Sequence, residues 1–159
     1  MNEFIFEYDS VQPLTHDDDG HYYLHVPAFY GNDDFSNYVI NFIFDTGAYI
    51  TVLSRKTIIR MGLDEKFTVE KNTPLSGFAG KTLVDIKEIP GFVIGGRRLE
   101  GVKVAVPHIN TDENILGLNV LEYFKYFVDT ENDKIYFAQN LNPDIHEPLQ
   151  AKRIYKLLR

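Results

Sequence analysis

The sequence predicts an all-β protein with few and short helices. Turn chemistry is one reason: Gly95-Gly96-Arg97-Arg98 is typical of a hairpin tip, and Asp129-Thr130-Glu131-Asn132-Asp133 separates two apolar runs. The other reason is a set of segments rich in the β-branched and aromatic residues that strands favour: 22–26, 38–44, 91–94, 102–106, 126–128 and 134–138. Strands joined by such turns indicate an antiparallel, meandering sheet.

Two short internal helices are expected. Ser54 has the side chain of an N-cap residue and precedes a segment that reaches Met61 and stops at Gly62. Asn119 is the expected cap of a second helix that runs through Leu121 to Phe124.

A third helix is predicted at the carboxyl end. Asp144 and Glu147 have the spacing of a capping box. The apolar residues that follow fall at i, i+3, i+4 and i+7: Ala151, Ile154, Tyr155 and Leu158. We expect this helix to dock on the body or on a second subunit.

Length and composition indicate one domain with two flanking segments. A chain of 159 residues can bury a core without disulfides, and it contains no cysteine. We expect an irregular lead-in at 1–20, a folded domain at 21–140 and a helical tail at 141–159. A cytoplasmic location is expected, because the first residues lack the pattern of a secretion signal and no apolar run approaches a membrane span. The net charge of -7 speaks against nucleic acid as a partner, and no membrane partner is expected.

The most informative motif is Phe42-Ile43-Phe44-Asp45-Thr46-Gly47-Ala48, an apolar run that ends in a carboxylate, a hydroxyl residue and a glycine. Two carboxylates placed close together can share one proton and activate water for attack on a carbonyl. The chain has one copy of this motif. A second carboxylate of the same kind would therefore come from another chain.

Two more motifs follow in order. Ser76-Gly77-Phe78-Ala79-Gly80 lies between two strand-like runs, and Ile115-Leu116-Gly117-Leu118-Asn119-Val120-Leu121 follows a turn. With the Asp45 motif they resemble the retropepsin-like aspartic proteases, the single-lobed family that includes retroviral proteases. The resemblance extends over residues 22–138. It implies a closed antiparallel barrel, a homodimer, a peptide or protein substrate and endopeptidase activity without metal or cofactor.

The resemblance also implies roles for the first motif. Asp45 would be the catalytic carboxylate, and the Thr46 hydroxyl would bond across the two-fold axis. Gly47 permits a tight turn that brings amide groups toward the carboxylate. Ala48 stands where two-lobed relatives often carry serine.

The other two motifs would complete the site. Gly77, Phe78, Ala79 and Gly80 would form a flap that closes over substrate, with Phe78 offering an apolar contact. Ile115-Leu116-Gly117 would pass beneath the aspartate loop, where glycine allows the two backbones to approach.

Two other functions stay open. The domain could keep the groove and bind a peptide without cutting it, or residues 1–20 could occupy the groove of an inactive precursor. A metal site built from His16, His21, His25 and the acidic run 17–19 is less favoured than a solvated surface, because the run lacks the closing acid of a calcium loop.

Overall fold

The computed structural model describes residues 2–29, 35–77, 80–139 and 152–158. These residues form two helices, α1 (Arg55–Arg60) and α2 (Leu118–Leu121), neither of which is long or apolar enough to cross a membrane. The remaining elements are strands: β1 (Asn2–Tyr8), β2 (Ser10–Pro13), β3 (Thr15–His16), β4 (Tyr22–Phe29), β5 (Phe35–Phe44), β6 (Thr51–Val52), β7 (Thr68–Gly77), β8 (Gly80–Ile94), β9 (Arg97–Pro107), β10 (Asn114–Leu116), β11 (Phe124–Asp129), β12 (Lys134–Gln139) and β13 (Lys152–Leu158). The prediction of a mainly β fold is confirmed.

The largest sheet has the strand order β3-β4-β5-β10-β6-β9-β8-β7, and an additional pairing of β4 with β8 closes its middle strands into a ring. Two pairings are parallel, β10 with β5 and β6 with β9. The wholly antiparallel arrangement predicted from the sequence is therefore wrong. Hairpins produce only antiparallel neighbours, whereas these short strands reach their parallel partners through longer connections.

The ring encloses the main core. Phe42 of β5 and Phe92 of β8 are fully buried, and their rings meet edge to face with centroids 5.4 Å apart. A smaller apolar cluster lies apart from it, with Val84, Ile86 and Ala105 buried beneath partly exposed neighbours. The smaller cluster lies at the base of the β7–β8 hairpin.

Two local predictions are confirmed. The Ser54 hydroxyl caps α1 by accepting from Thr57 N at 3.1 Å, and the helix ends before Gly62, whose φ is 72°. Gly95 and Gly96 form the two-residue turn between β8 and β9, with φ of 60° and 73°. Both residues need positive φ in such a turn, which glycine adopts without strain.

The predicted irregular lead-in is wrong. Its residues form β1, β2 and β3, which pair with β13, β12 and β4. Aromatic contacts hold β1 to the body: the Tyr8 and Tyr136 rings lie 4.9 Å apart, and Phe6 faces Phe127 at 6.1 Å. The partners of β1 and β2 are more than a hundred residues away, so no local pattern could reveal them.

The predicted carboxyl-terminal helix is also wrong. Lys152–Leu158 is a strand that pairs antiparallel with β1 from Leu158↔Asn2 to Lys152↔Tyr8. Backbone bonds to β1 replace the intrahelical bonds that the apolar spacing suggested. The capping residues Asp144 and Glu147 lie outside the described residues.

Lys87 is a buried cation that ties β8 to the segment before β7. Its Nζ donates to Asp64 O at 2.9 Å, Lys66 O at 2.8 Å and Thr68 Oγ1 at 2.9 Å. Desolvation lowers the pKa of Lys87, since burial disfavours the charged form. All three donors of the ammonium group are satisfied, and the root of the β7–β8 hairpin is thereby fixed.

Candidate active site

Asp45 lies directly after β5, at the point where the chain leaves the ring. Its N–H donates to Leu116 O at 3.2 Å, which continues the parallel pairing of β5 with β10. Its carboxylate Oδ1 accepts from Gly47 N at 2.8 Å. The residue is partly exposed and Thr46 beside it is exposed. The carboxylate is thus held in a defined direction while one side of the loop is open to a ligand or another chain.

Gly47 and Ala48 shape the loop around this carboxylate. A Cβ at Gly47 would lie 3.1 Å from Asp45 Oδ1, which is tighter than ordinary contact. Ala48 N donates back to Asp45 O at 3.3 Å. A larger residue at position 47 would push against the oxygen that the loop positions.

The third motif passes beneath this loop. Leu118 N donates to Ala48 O at 2.8 Å, and Asn119 N donates to Tyr49 O at 3.3 Å. A Cβ at Gly117 would lie 2.6 Å from the carbonyl carbon of Ile50 and 2.9 Å from Thr51 N. The structure leaves no room for a side chain at Gly117. Leu116 is fully buried and Ile115 partly exposed.

Thr51 and Asn119 form a polar network behind the loop that sequence reasoning missed. Asn119 Oδ1 accepts from Thr51 N and Thr51 Oγ1, both at 2.8 Å, and Asn119 Nδ2 donates to Lys103 O at 2.8 Å. Thr51 Oγ1 in turn accepts from Gly117 N at 3.1 Å. Thr51 is fully buried, so each of these bonds replaces one to water.

The predicted capping role of Asn119 is therefore wrong. Gly117 occupies the N-cap position of α2, and no side chain caps that helix. The available signal was a hydroxyl residue within the apolar run 50–53, since a buried hydroxyl requires a partner.

Asn119→Leu should lower the free energy of unfolding by about 2 to 4 kcal/mol, because it leaves the buried amide and hydroxyl of Thr51 without an acceptor. Urea unfolding followed by circular dichroism measures this change. Asn132→Leu is the matched control, since Asn132 lies in an exposed turn and bonds only within that turn. Equal destabilisation by both substitutions would show that the network has no special role.

The second motif lies at the end of the β7–β8 hairpin. Gly77 pairs with Gly80, and the predicted contact residues Phe78 and Ala79 between them lie outside the described residues. Leu75 of this hairpin packs with Ile50 and Val52 over the smaller apolar cluster. The hairpin and the segment that follows the Asp45 loop thus form one apolar surface, here called the apolar floor, from Ile50, Val52 and Leu75.

Large apolar side chains next to the loop are exposed. Tyr49 is 83% exposed, and Leu118, bonded through its backbone to the neighbouring Ala48, is 38% exposed. Such a surface beside a carboxylate suits contact with a peptide or another subunit.

The acidic run near the amino end forms a turn. Asp17 Oδ1 accepts from Asp19 N and His21 N, and its Oδ2 lies within 3.1 Å of Tyr23 Oη and His21 Nδ1. Desolvation alone would raise the pKa of Asp17, but these hydrogen bonds outweigh it and lower the pKa to about 2. His25 is exposed on β4 and His16 pairs with Asp133 at 3.5 Å. The carboxylate of Asp17 is engaged in holding the turn.

Comparison with known proteins identifies a family for the chain. A family model described as "gag-polyprotein putative aspartyl protease" matches residues 34–123, more than half of the chain. No curated protein sequence gives a significant match.

Two solved structures show the same fold. A retropepsin-like aspartic protease from Rickettsia conorii is 22% identical with a TM-score of 0.58, over 85% of this chain and 98% of that one. The EIAV protease complexed with the inhibitor HBY-793 is 20% identical with a TM-score of 0.50, over 68% of this chain and 91% of that one.

The family model, which covers more than half of the chain, assigns the chain to the aspartyl proteases. The chain belongs to the retropepsin-like aspartyl protease family.

Proposed function

We propose that the protein is an aspartic endopeptidase that acts as a homodimer. Two copies pair about a two-fold axis, so that each Asp45 lies beside its symmetry mate. The observation that carries this proposal is the Asp45 loop itself. Its partly exposed carboxylate is fixed by Gly47 N–H, and the bonds between buried Thr51 and partly exposed Asn119 support the loop.

The need for a second copy follows from the carboxylates of the chain. The near repeat Asp129-Thr130-Glu131 does not offer another active carboxylate, because Asp129 is buried and bonded within its own turn. The sequence has one Asp-Thr-Gly motif. A pair of such carboxylates therefore requires two chains.

The chemistry uses one shared proton. Two carboxylates in contact cannot both ionise cheaply, so one stays protonated. The ionised member takes a proton from water, which attacks the scissile carbonyl, while the protonated member polarises the carbonyl oxygen. Thr46 would bond to the opposing loop and keep both carboxylates in register.

Substrate would bind as an extended strand. The β7–β8 hairpin would cover it and add main-chain hydrogen bonds, with the apolar floor of Ile50, Val52 and Leu75 receiving side chains. The proposal requires no cofactor. The cytoplasmic location stays a prediction.

A diverse peptide library tests the proposal when its cut sites are read by mass spectrometry and the molar mass is measured by sedimentation. Cleavage that rises with the dimer fraction is expected. Peptide binding without cleavage by a protein that stays monomeric at high concentration would overturn it and support the non-catalytic alternative.

A further inference from the structure

Among the described residues, strand pairing joins the outer half of the β7–β8 hairpin to the body at one end, and Leu75 adds an apolar contact. Pairing of β8 with β9 ends at Val84↔Pro107, whereas pairing of β8 with β7 continues to Gly77↔Gly80. Strand β7 is the last strand of its sheet. Residues 73–77 and 80–83 therefore form a two-stranded ribbon, here called the flap ribbon, that projects from the ring.

Asp85 joins three segments at the root of the flap ribbon. Its Oδ1 accepts from Asn72 N of β7 at 3.0 Å and lies 2.9 Å from Nε2 of His108, in the segment after β9. A carboxylate offers only acceptors, so His108 Nε2 carries the hydrogen. The backbone N–H of His108 donates to Leu83 O at 3.0 Å. One residue pair thus bridges both strands of the ribbon and the body.

The backbone at this level is irregular. The register of β7 against β8 shifts on either side of Glu70, the second shift lying between Glu70 and Thr73, and Asn72 has φ of 53°. A non-glycine residue in this region is uncommon and persists where surrounding contacts hold it. The bond from Asn72 N to Asp85 is such a contact.

Charge strengthens the junction. The hydrogen bond from His108 lowers the pKa of Asp85 below its ordinary value. Desolvation raises this pKa, and the hydrogen bond from Asn72 N lowers it further. The side chains of His108 and Asp85 are 36% and 31% exposed. Lys71 also lowers this pKa, and Arg55, Asp64 and Lys87 line the same cavity. The carboxylate is therefore ionised and available as an acceptor.

We propose that Asp85 and His108 are positioning residues that lock the root of the flap ribbon and so set how readily the ribbon opens over substrate. The role in substrate binding rests on the proposed function, whereas the lock itself is a property of the fold.

Hydrogen exchange of the whole chain, followed by mass spectrometry, tests the lock. His108→Ala removes one hydrogen bond of the junction and should speed exchange in the ribbon about fivefold, whereas Asp85→Ala removes two and should speed it by at least that factor. The double variant should exchange no faster than Asp85→Ala, because that substitution already removes both bonds of the junction. Strand β12 serves as the internal reference and should not change.

Two further variants separate the lock from general effects. Asp112→Ala removes an exposed carboxylate that lines a cavity with His108 but pairs with Lys56 at 3.3 Å and not with Asp85 or His108, and it should leave ribbon exchange unchanged. Asp85→Asn keeps an oxygen acceptor and should stay within about twofold of wild type. Unchanged ribbon exchange in both alanine variants, or an equal increase in β12, would overturn the lock.

Kinetics then tests its role in substrate binding. Asp85→Ala should raise KM by about fivefold with kcat nearly unchanged, because the ribbon binds substrate and carries no reacting group. Faster exchange with normal KM would refute that role. Failure of the wild-type protein to cleave any peptide would count against the proposed function alone, because hydrogen exchange tests the lock without a cleavage assay.

Discussion

Asp45→Asn is expected to reduce peptide hydrolysis by at least about a thousandfold and to leave the free energy of unfolding within about 0.5 kcal/mol. In a homodimer the substitution removes both carboxylates, so neither a base for water nor an acid for the carbonyl remains. The amide oxygen of asparagine can still accept the bond that Gly47 N donates to Oδ1 at 2.8 Å. The loop should therefore keep its conformation, and the protein should lose its hydrolytic activity.

The measurement pairs initial cleavage rates with urea unfolding on the same samples. Asp112→Asn is the matched control, because it makes the same change at an exposed carboxylate whose partner is Lys56. It should retain full activity. Turnover of the Asp45 variant at the wild-type rate would place the chemistry elsewhere. Loss of both activity and stability would mean that Asp45 is structural.

The sequence predicts the parts of this fold that depend on neighbouring residues. The Gly95-Gly96 turn and the Ser54 cap have their partners within a few positions, and the strand segments are recognised from their own residue types. The physical forces that shape them are local, so their residue types can be read directly.

Prediction fails where the partner is distant. Strand β1 pairs with β13 at the other end of the chain, and Thr51 bonds with Asn119 across 68 positions. The tail shows this most clearly: its apolar spacing fits a helix, but an available edge strand decides its conformation. Secondary-structure preference is weak beside such tertiary contacts.

The candidate site divides in the same way. The motif residues of the Asp45 loop and of Gly117 stand out because each combines an unusual residue type with a defined neighbourhood. Asn119 and Asp85 do not, since an asparagine before an apolar run resembles a helix cap and an acid within a strand resembles a solvated residue. Only the geometry reveals that one supports the loop and the other joins the root of the flap ribbon.

Gly117→Ala is expected to have the largest effect on stability, about 3 kcal/mol or more. Glycine is not required there by backbone conformation, because φ of -101° and ψ of 179° are accessible to alanine. Alanine has fewer conformations than glycine in the unfolded chain, and this effect alone would stabilise the folded state by up to about 1 kcal/mol. The loss comes from space alone, since the new Cβ would meet Ile50 carbonyl carbon at 2.6 Å and oxygen at 2.7 Å.

These contacts are backbone atoms, so no side-chain rotation relieves them, and either the Asp45 loop or the third motif must move. Movement would stretch the bond from Gly117 N to Thr51 Oγ1 and displace the carboxylate that the network supports. Gly77→Ala is the matched control, because among the described residues a Cβ there would meet only Gly80 O, at 4.0 Å. Urea unfolding should separate the two variants by at least about 2 kcal/mol. Equal midpoints would show that the two backbones do not approach as closely as the structure places them, and the support of the Asp45 loop would need another explanation.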